Sequence, residues 1–486
     1  MLAFQQDKTR SFFALLSLPA TAMGFALSIQ ISALSWILTT QYGLDIHDVG
    51  LVWAAGPLAG IIGQVLIGVI SDKVWFWGGR RRPFILIGGV VAALMLLALP
   101  NIGIINETMG LGGLLGVAIA VALTLDLAIN ISFNPTRSLI ADVTGPGEER
   151  TRGYTWMQTI SGTFGVLAYA IGAVWDNFVL IYVGVVVVLL FSLLPPLLIT
   201  ESRGFQAHHD EGEASAAASR DEEAGSIGSI LRAIRPLWAF LVYDVYAMGL
   251  RIAGIEHEHY WAEIALVVAT LALVAQSLLE RRAPDGLSGF RKVLAAHSFS
   301  WVGIQTTFVF LIAHLQQALP DLSDIDLGRV GSMSFLILNA VGALLPATVL
   351  GPMAARIGTV RTHVLCLAVM TAGYFALWLS GDTVWAIWSL MAVLGVGWAA
   401  IVSLPFAVFT QQVSEARMGL YMGLFNLSVV LPQLVVSLGV ALLVSRVADK
   451  GSIFLISAVS LGISALAWSF VREEGRAPAT VAAASH

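Results

Sequence analysis

Residues 114–140 read LLGVAIAVALTLDLAINISFNPTRSLI, a nearly unbroken apolar run that contains one acid, Asp126. The run belongs to an apolar stretch over 110–140, and at 1.5 Å per helical residue it is long enough to cross roughly 30 Å of hydrocarbon. An acid near the middle of such a helix is costly unless it faces a cavity or a partner. This stretch therefore predicts a membrane-spanning helix that carries a functional carboxyl.

The composition of the whole chain agrees with a membrane protein. Of 486 residues, 57% are hydrophobic and 12% charged, whereas soluble domains carry about 25% charged residues. The mean hydropathy is +0.82, which excludes most soluble folds. The net charge of −5 offers no basic face for a nucleic-acid partner. Cys366 is the single cysteine, so the sequence has no disulfide framework and no thiolate metal site.

Fourteen apolar runs have the length and character of membrane-spanning helices. The first run continues to about residue 38, past the hydrophobic region of a secretory signal. A β-barrel would instead show short segments of alternating hydrophobicity. The sequence therefore predicts an all-α membrane bundle. The runs lie around 11–38, 48–70, 84–104, 110–140, 153–174, 178–198, 235–252, 260–279, 294–317, 329–352, 362–380, 384–410, 417–442 and 452–471.

Basic residues orient the helices, because Lys and Arg accumulate on the cytoplasmic side. With the N-terminus inside, all but four of the 26 Lys and Arg residues fall in cytoplasmic segments. The four exceptions are Arg251, Arg329, Arg446 and Lys450. The chain is therefore expected to be a multi-pass protein of the cell inner (plasma) membrane with both termini in the cytoplasm. Twelve spans with residues 235–279 lying in the interface would give the same ends.

A polar interval at 201–231, rich in Ala, Ser, Gly and Glu, divides the runs into two groups. Such a segment buries too little apolar surface to offset its ordering entropy. A basic connection also follows the second helix of each group, which indicates a duplicated transporter. The expected divisions are an N-terminal six-helix bundle (1–198), a mostly disordered cytoplasmic linker (199–234), an additional hydrophobic helix pair (235–293), a C-terminal six-helix bundle (294–475) and a disordered tail (476–486).

Polar residues form a stripe along the helix that contains Asp126. Asn130, Asn134 and Arg137 follow it at steps of four, four and three residues, which keeps all four on one helix face. Asp126 and Arg137 are about 16 Å apart along this helix, so each needs another partner or a water-filled path. We expect Asp126 to take and release a proton as access alternates; a buried polar clamp between helices is the alternative.

Further amides and one tryptophan inside the spans are candidates for binding a substrate. Amides often act only as hydrogen-bond links between helices, and for any single residue that is the expected role. Together they suit an uncharged, hydroxyl-rich ligand, with Trp301 able to stack on a sugar face. The candidate substrate-binding residues are Gln30, Gln64, Asn130, Gln158, Trp301, Gln305, Asn426 and Gln433.

Signatures of an enzyme are missing from the sequence. It contains no Ser-His-Asp or Cys-His set in an arguable arrangement and no Gly-rich phosphate loop. His257 and His259, like His208 and His209, lack the spacing of a defined metal site. We therefore expect no catalytic residue, no metal and no cofactor.

Three tracts carry a resemblance to a known family. The first includes Gly56-Pro57, Asp72 and Gly79-Arg80-Arg81-Arg82-Pro83-Phe84. The second runs from Asp126 through Arg137 to Asp142, and the third covers 403–439 around Asn426 and Gln433. These tracts resemble the plant-type sucrose:proton symporters, within the glycoside-pentoside-hexuronide:cation symporter family of the major facilitator superfamily. His47 also stands where those proteins carry a histidine after their first helix.

The resemblance implies the major facilitator fold of two six-helix bundles, with Asp126 as proton carboxylate and Arg137 associated with substrate and coupling. It also implies a cytoplasmic gate, whose charge pairs hold one access state. The gate residues are Asp72, Arg80, Arg81, Arg82 and Asp142. The sequence departs from the family after Trp301, where Phe308 and Phe310 replace acidic residues.

These expectations combine into one functional hypothesis. The chain is expected to be a proton-coupled symporter that imports a disaccharide or α-glucoside such as sucrose or maltose. Its expected partners are the sugar, the proton and membrane lipid, and it is expected to act as a monomer. One alternative is a major facilitator exporter, or a transporter of another small molecule; a second is a membrane sensor, which would need a folded output domain.

Overall fold

Helices occur in all fourteen predicted regions, within the part of the chain that the structure describes. The computed structural model describes residues 3–61, 70, 74–110, 113–145, 148–201, 227–253, 255, 260–281, 283, 285–413 and 418–473. In the N-terminal half the helices are α1 (Arg10–Ile29), α2 (Ile46–Trp53, continued to Ile61), α3 (Arg82–Ala98), α4 (Leu114–Val143), α5 (Glu148–Val174) and α6 (Asn177–Leu198).

The remaining helices comprise an intervening pair and the C-terminal half. The pair is α7 (Trp238–Ala253) and α8 (Trp261–Leu279). The C-terminal half contains α9 (Ser288–Ala318), α10 (Asp324–Leu345), α11 (Thr359–Ser380), α12 (Val384–Phe409), α13 (Met418–Val435) and α14 (Ser452–Trp468). Among the described residues, 11 helices are long and apolar enough to cross a membrane, which confirms the all-α membrane fold.

Successive helices run in opposite directions, so the bundle has two faces. We call the end where α1 begins and α14 ends the terminal face, and the opposite end the far face. Within the 199–234 interval, Ile227–Ala233 is helical at the terminal face, whereas residues 202–226 lie outside the described residues.

Non-α turns interrupt several of the long helices. α1 continues into π-helical turns at Gln30–Leu34 and Ile37–Gln41, and α13 continues into one at Val436–Val440 before the final segment Ala441–Arg446. Each π turn widens the helix by one residue, and such turns are frequent at functional sites. In α1 the widened turn starts at Gln30, one of the candidate binding residues.

The two halves are joined near the far face. The Nε1 of Trp36 in α1 donates to the carbonyl of Asp324 at the start of α10, at 2.6 Å. The hydroxyls of Ser32 and Ser332 lie 2.6 Å apart, and Ser332 donates to Oδ1 of Asn177 at 2.8 Å. Because Asn177 is fully buried, this polar cluster lies inside the contact between the halves.

The helix pair α7–α8 packs against both halves. Tyr243 and Ala247 of α7 lie in one apolar cluster with Leu51 and Ala54 of α2 and with Leu434 of α13. At Gly439, an added Cβ would lie 2.3 Å from the hydroxyl of Tyr243, so the two helices approach closely there. The pair is thus a third structural unit beside the two halves.

Opposite ends of the pair are fastened to different halves. At the terminal face the buried Arg291 of α9 donates to Glu280 and Asp285, at 2.9 Å in each case. At the far face the Nη1 of Arg251 lies 2.7 Å from Nε2 of His47. Arg291 is buried, whereas the contact between Arg251 and His47 is exposed, so the two ends of the pair are attached in different surroundings.

Candidate functional site

Asp126 lies near the middle of α4 and is 4% exposed. Its Oδ2 accepts a hydrogen bond of 2.9 Å from Nε2 of Gln30 in α1. Gln30 is itself buried, at the start of the π-helical turn in α1. Burying a carboxyl requires a partner or a proton, and among the described residues Gln30 is the side-chain donor to this carboxyl.

Gly56 of α2 completes the surroundings of the carboxyl. A Cβ added at this position would lie 3.3 Å from Oδ2 of Asp126, closer than side-chain atoms normally approach. The absence of a side chain therefore lets α2 pass directly beside the carboxyl. Asp126 is consequently held where α1, α2 and α4 meet, a position that the conformation of all three helices can affect.

The rest of the polar stripe extends from Asp126 toward the terminal face. Nδ2 of Asn130 donates to the backbone carbonyl of Asp126 at 2.8 Å, and Asn134 is half-buried one turn later. The Arg137 guanidinium lies 4.1 Å from the centre of the Phe133 ring, and Arg137 is exposed. The predicted stripe thus starts at a buried acid and ends at an accessible cation.

The candidate amides of the C-terminal half are differently placed. Nε2 of Gln433 in α13 donates to Oε1 of Gln305 in α9 at 3.2 Å, so these two predicted substrate residues bind each other. Asn426 is half-buried on α13, and Gln158 of α5 is exposed. Only Gln30 among the candidate amides is hydrogen-bonded to the carboxyl of Asp126 in the described contacts.

Trp301 lies in an aromatic cluster of the C-terminal half. Its Nε1 donates to Nε2 of His297 at 2.9 Å, and its ring packs edge-on against Trp398 with centroids 6.2 Å apart. His297 stacks on Phe425 at 4.8 Å. The indole is therefore fixed in orientation, and His297 is a positioning residue that the sequence did not single out.

Three of the predicted gate residues, Arg80, Arg81 and Asp142, form ion pairs at the terminal face. Nη2 of Arg80 lies 3.1 Å from Oδ1 of Asp142, and Nε of Arg81 lies 3.2 Å from its Oδ2. These pairs connect the start of α3 to the end of α4. Asp72 of the gate and Gln64 of the substrate set lie outside the described residues, as do His208, His209, His257 and His259.

Glu201 is a residue of this region that sequence reasoning missed. Its carboxylate accepts hydrogen bonds from the backbone amides of Arg80, Arg81 and Arg82, at 2.7, 3.0 and 2.8 Å. Backbone amides at the start of a helix have no acceptor within the helix, and a negative charge is favoured there. Glu201 therefore joins the end of α6 to the same loop that carries the gate arginines.

The C-terminal half repeats this arrangement. Glu473, just after α14, accepts a hydrogen bond of 2.5 Å from the backbone amide of Val360 at the start of α11. Each half thus ends in a glutamate that caps its own third helix. In the sequence, Thr200-Glu201 and Arg472-Glu473 both follow the last helix of a half, but this shared position does not identify the amides that each glutamate binds.

The architecture defines a helical membrane transporter of two related halves, with a buried acid where helices of one half converge. The family model of the Major Facilitator Superfamily matches residues 16–436. The chain belongs to this superfamily, whose members are transporters and not enzymes.

Individual relatives match to different extents. The chain is 29% identical over 174 residues to the general alpha-glucoside permease of Schizosaccharomyces pombe, which covers 32% of this chain and 31% of the permease. It is 24% identical over 468 residues to the sucrose transport protein SUT3 of Oryza sativa subsp. indica, covering 86% and 84%. The first match thus spans about a third of its relative, the second most of it.

Solved structures resemble the fold as a whole. A D-xylose-proton symporter superposes with a TM-score of 0.63 at 13% identity, covering 95% of this chain and 98% of the symporter. At this identity the likeness concerns the fold alone.

Proposed function

We propose that the protein is a proton-coupled symporter that imports a disaccharide or α-glucoside, such as sucrose or maltose, by alternating access. The observation that carries this proposal is the Asp126 carboxyl, buried with one amide donor between α1, α2 and α4. A carboxyl in this position binds a proton in one access state and releases it in another if movement of the halves changes its surroundings.

The sugar is proposed from the relatives together with the polar groups of the spans. The relatives are an alpha-glucoside permease and a sucrose transport protein by name. Gln158 offers an exposed amide on α5, and Trp301 an oriented indole on α9. Neutral donors, acceptors and an aromatic face suit an uncharged hydroxyl-rich ligand. Gln30, Asn130, Asn426 and the Gln305–Gln433 pair are the remaining described candidates for contacts to it.

Proton coupling supplies enough free energy for accumulation. One charge crossing 100 mV releases about 2.3 kcal/mol, which sustains roughly a fifty-fold gradient of a neutral sugar at about 1.4 kcal/mol per decade. Asp126 carries the proton in this proposal. Arg137, at the accessible end of the same stripe, takes part in substrate binding and coupling.

Alternating access is proposed to use the contacts at the two faces in turn. The hydrogen bonds of Trp36, Ser32 and Asn177 to the other half hold the far face closed. The terminal face is assigned to the cytoplasm because the basic residues concentrate there, which places both chain ends in the cytoplasm. The Arg80 and Arg81 pairs with Asp142, together with Asp72 and Arg82, form the cytoplasmic gate.

Uptake into liposomes tests the function. The purified protein is reconstituted, and labelled sucrose and maltose are offered with and without an inward proton gradient. We expect accumulation above the external concentration that collapses when a protonophore is added. Uptake of neither sugar under any gradient would contradict the proposal and favour the exporter, or a carrier of another small molecule.

A further inference from the structure

A cavity outside the candidate transport site lies between the helix pair and the C-terminal half. It has a volume of about 500 Å³ and is bounded by α7, α8, α9 and the last turns that continue α13. Its wall is almost entirely apolar and includes Phe240, Leu266, Phe299, Val302 and Val440. A cavity of this size and character is comparable to sites that bind small apolar molecules.

One side of the cavity faces the hydrocarbon of the membrane. Val267 and Leu271 line it from α8 and are 59% and 44% exposed, and Leu443 lines it from the opposite wall and is 53% exposed. Only 17% of the most apolar stretch of α8 is buried inside the protein. The cavity is therefore reached sideways from the bilayer, and an occupant with a hydrocarbon chain enters without crossing water.

A cation stands at the far-face end of the same cavity. Arg446 is the last residue of the helical segment Ala441–Arg446, and its guanidinium lies 5.1 Å from the centre of the Tyr260 ring. Arg446 is exposed, whereas both carboxyl oxygens of the nearby Glu263 are buried. Among the described residues that line the cavity, the Arg446 guanidinium is thus the exposed charge.

We propose that this cavity binds one phospholipid, with an acyl chain between α8 and α13 and the headgroup phosphate on Arg446. The end of a spanning helix lies at headgroup depth, where Arg side chains meet lipid phosphates. An apolar slot that ends in a cation at that depth matches the order of groups in a phospholipid. The positive charge favours a lipid of net negative charge over a zwitterionic one.

Native mass spectrometry of the detergent-purified full chain tests the proposal. The protein is supplied with phosphatidylglycerol or with phosphatidylcholine at increasing concentration, and retained lipid is counted per protein. We expect one phosphatidylglycerol to be retained in preference to phosphatidylcholine. Arg446→Gln should weaken that binding about five-fold, since one basic residue near the surface contributes about 1 kcal/mol.

Matched variants distinguish lipid bound in the cavity from lipid bound elsewhere on the surface. Val267→Trp places an indole in the cavity and should weaken retention, whereas its neighbour Val268 is 60% exposed and does not line the cavity. Val268→Trp should therefore retain the lipid, as should Arg281→Gln at the opposite end of α8. Equal retention of both lipids by the unchanged protein, or unchanged retention in Val267→Trp, would overturn the proposal. Because the assay measures binding, it does not depend on the proposed transport activity.

Discussion

The side-chain amide of Gln30 donates a hydrogen bond of 2.9 Å to the carboxyl of Asp126, joining α1 to α4 across 96 positions of sequence. Gly56 of α2 lies against the same carboxyl. The buried Asp126 carboxyl, carried by α4, is therefore contacted by both α1 and α2. A relative movement of any of them changes either the donor or the space beside the acid, which is what coupling of a proton to a conformational change requires.

The first prediction concerns Gly56. Gly56→Val should reduce proton-driven sugar uptake at least ten-fold, because the added Cβ would lie 3.3 Å from Oδ2 of Asp126 and the carboxyl would have to shift. Uptake into liposomes is measured together with the unfolding temperature. Gly60→Val is the control, because an added Cβ at Gly60 meets no described atom within 4 Å. Equal loss of uptake in both variants would contradict the assignment.

The second prediction concerns the glutamate caps. Glu201→Gln should lower the free energy of unfolding by about 1–2 kcal/mol, because the negative charge that accepts from the backbone amides at the start of α3 is lost. Thermal unfolding in detergent measures the change. Glu148→Gln in the exposed first turn of α5 is the control and should have little effect. A Glu201→Gln protein as stable as the original would show that this cap is dispensable.

The third prediction concerns the buried Arg291. Its guanidinium is hydrogen-bonded to Asp285 and holds the pKa of that carboxyl below its usual value. Arg291→Gln should destabilise the protein by about 1–3 kcal/mol at pH 7, because the part-buried Glu280 and Asp285 lose the cation that donates hydrogen bonds to them. Exposed Arg281→Gln is the control.

The pH dependence of that stabilisation follows from the depressed pKa of Asp285. Its contribution is fully present above the unfolded-state value of about 3.9 and is lost as the pH falls through the lower folded-state pKa. The difference in unfolding temperature between the original protein and Arg291→Gln should therefore narrow below about pH 4. A difference that stays constant there would mean that Asp285 does not contribute.

Local patterns in the sequence were sufficient to predict the helices. The 110–140 run corresponds to Leu114–Val143, and the 260–279 run to Trp261–Leu279, because length and hydropathy alone determine which segments cross a bilayer. The position of Asp126 on α4 was equally visible. Helical spacing also gave the direction in which Asn130 and Arg137 follow it.

Partners distant in sequence could not be predicted from such patterns. Glu201 binds backbone amides 119 to 121 positions away, and no residue type at 80–82 signals a free amide. Gln305 and Gln433 each looked like a ligand contact, but they bind each other across 128 positions. Helix-to-helix register decides such pairs, and a single sequence does not contain that register.

The contacts that α7 and α8 make with other helices likewise could not be predicted from the sequence. Arg251 appeared only as a basic residue on the unexpected side of the membrane, and His47 only as a match to a family position. Their contact of 2.7 Å depends on how the helix pair packs against α2. Hydrophobicity could indicate the pair, but it could not indicate which neighbours the pair would have.

The most direct test of the account replaces Asp126 by asparagine and compares two modes of transport in the same liposomes. Asp126→Asn keeps the size of the side chain and can still bond to Gln30, but it cannot carry a proton. We predict that proton-driven accumulation of sugar is lost while exchange of labelled for unlabelled sugar continues. Normal accumulation by Asp126→Asn would contradict the central claim that this carboxyl couples proton movement to transport.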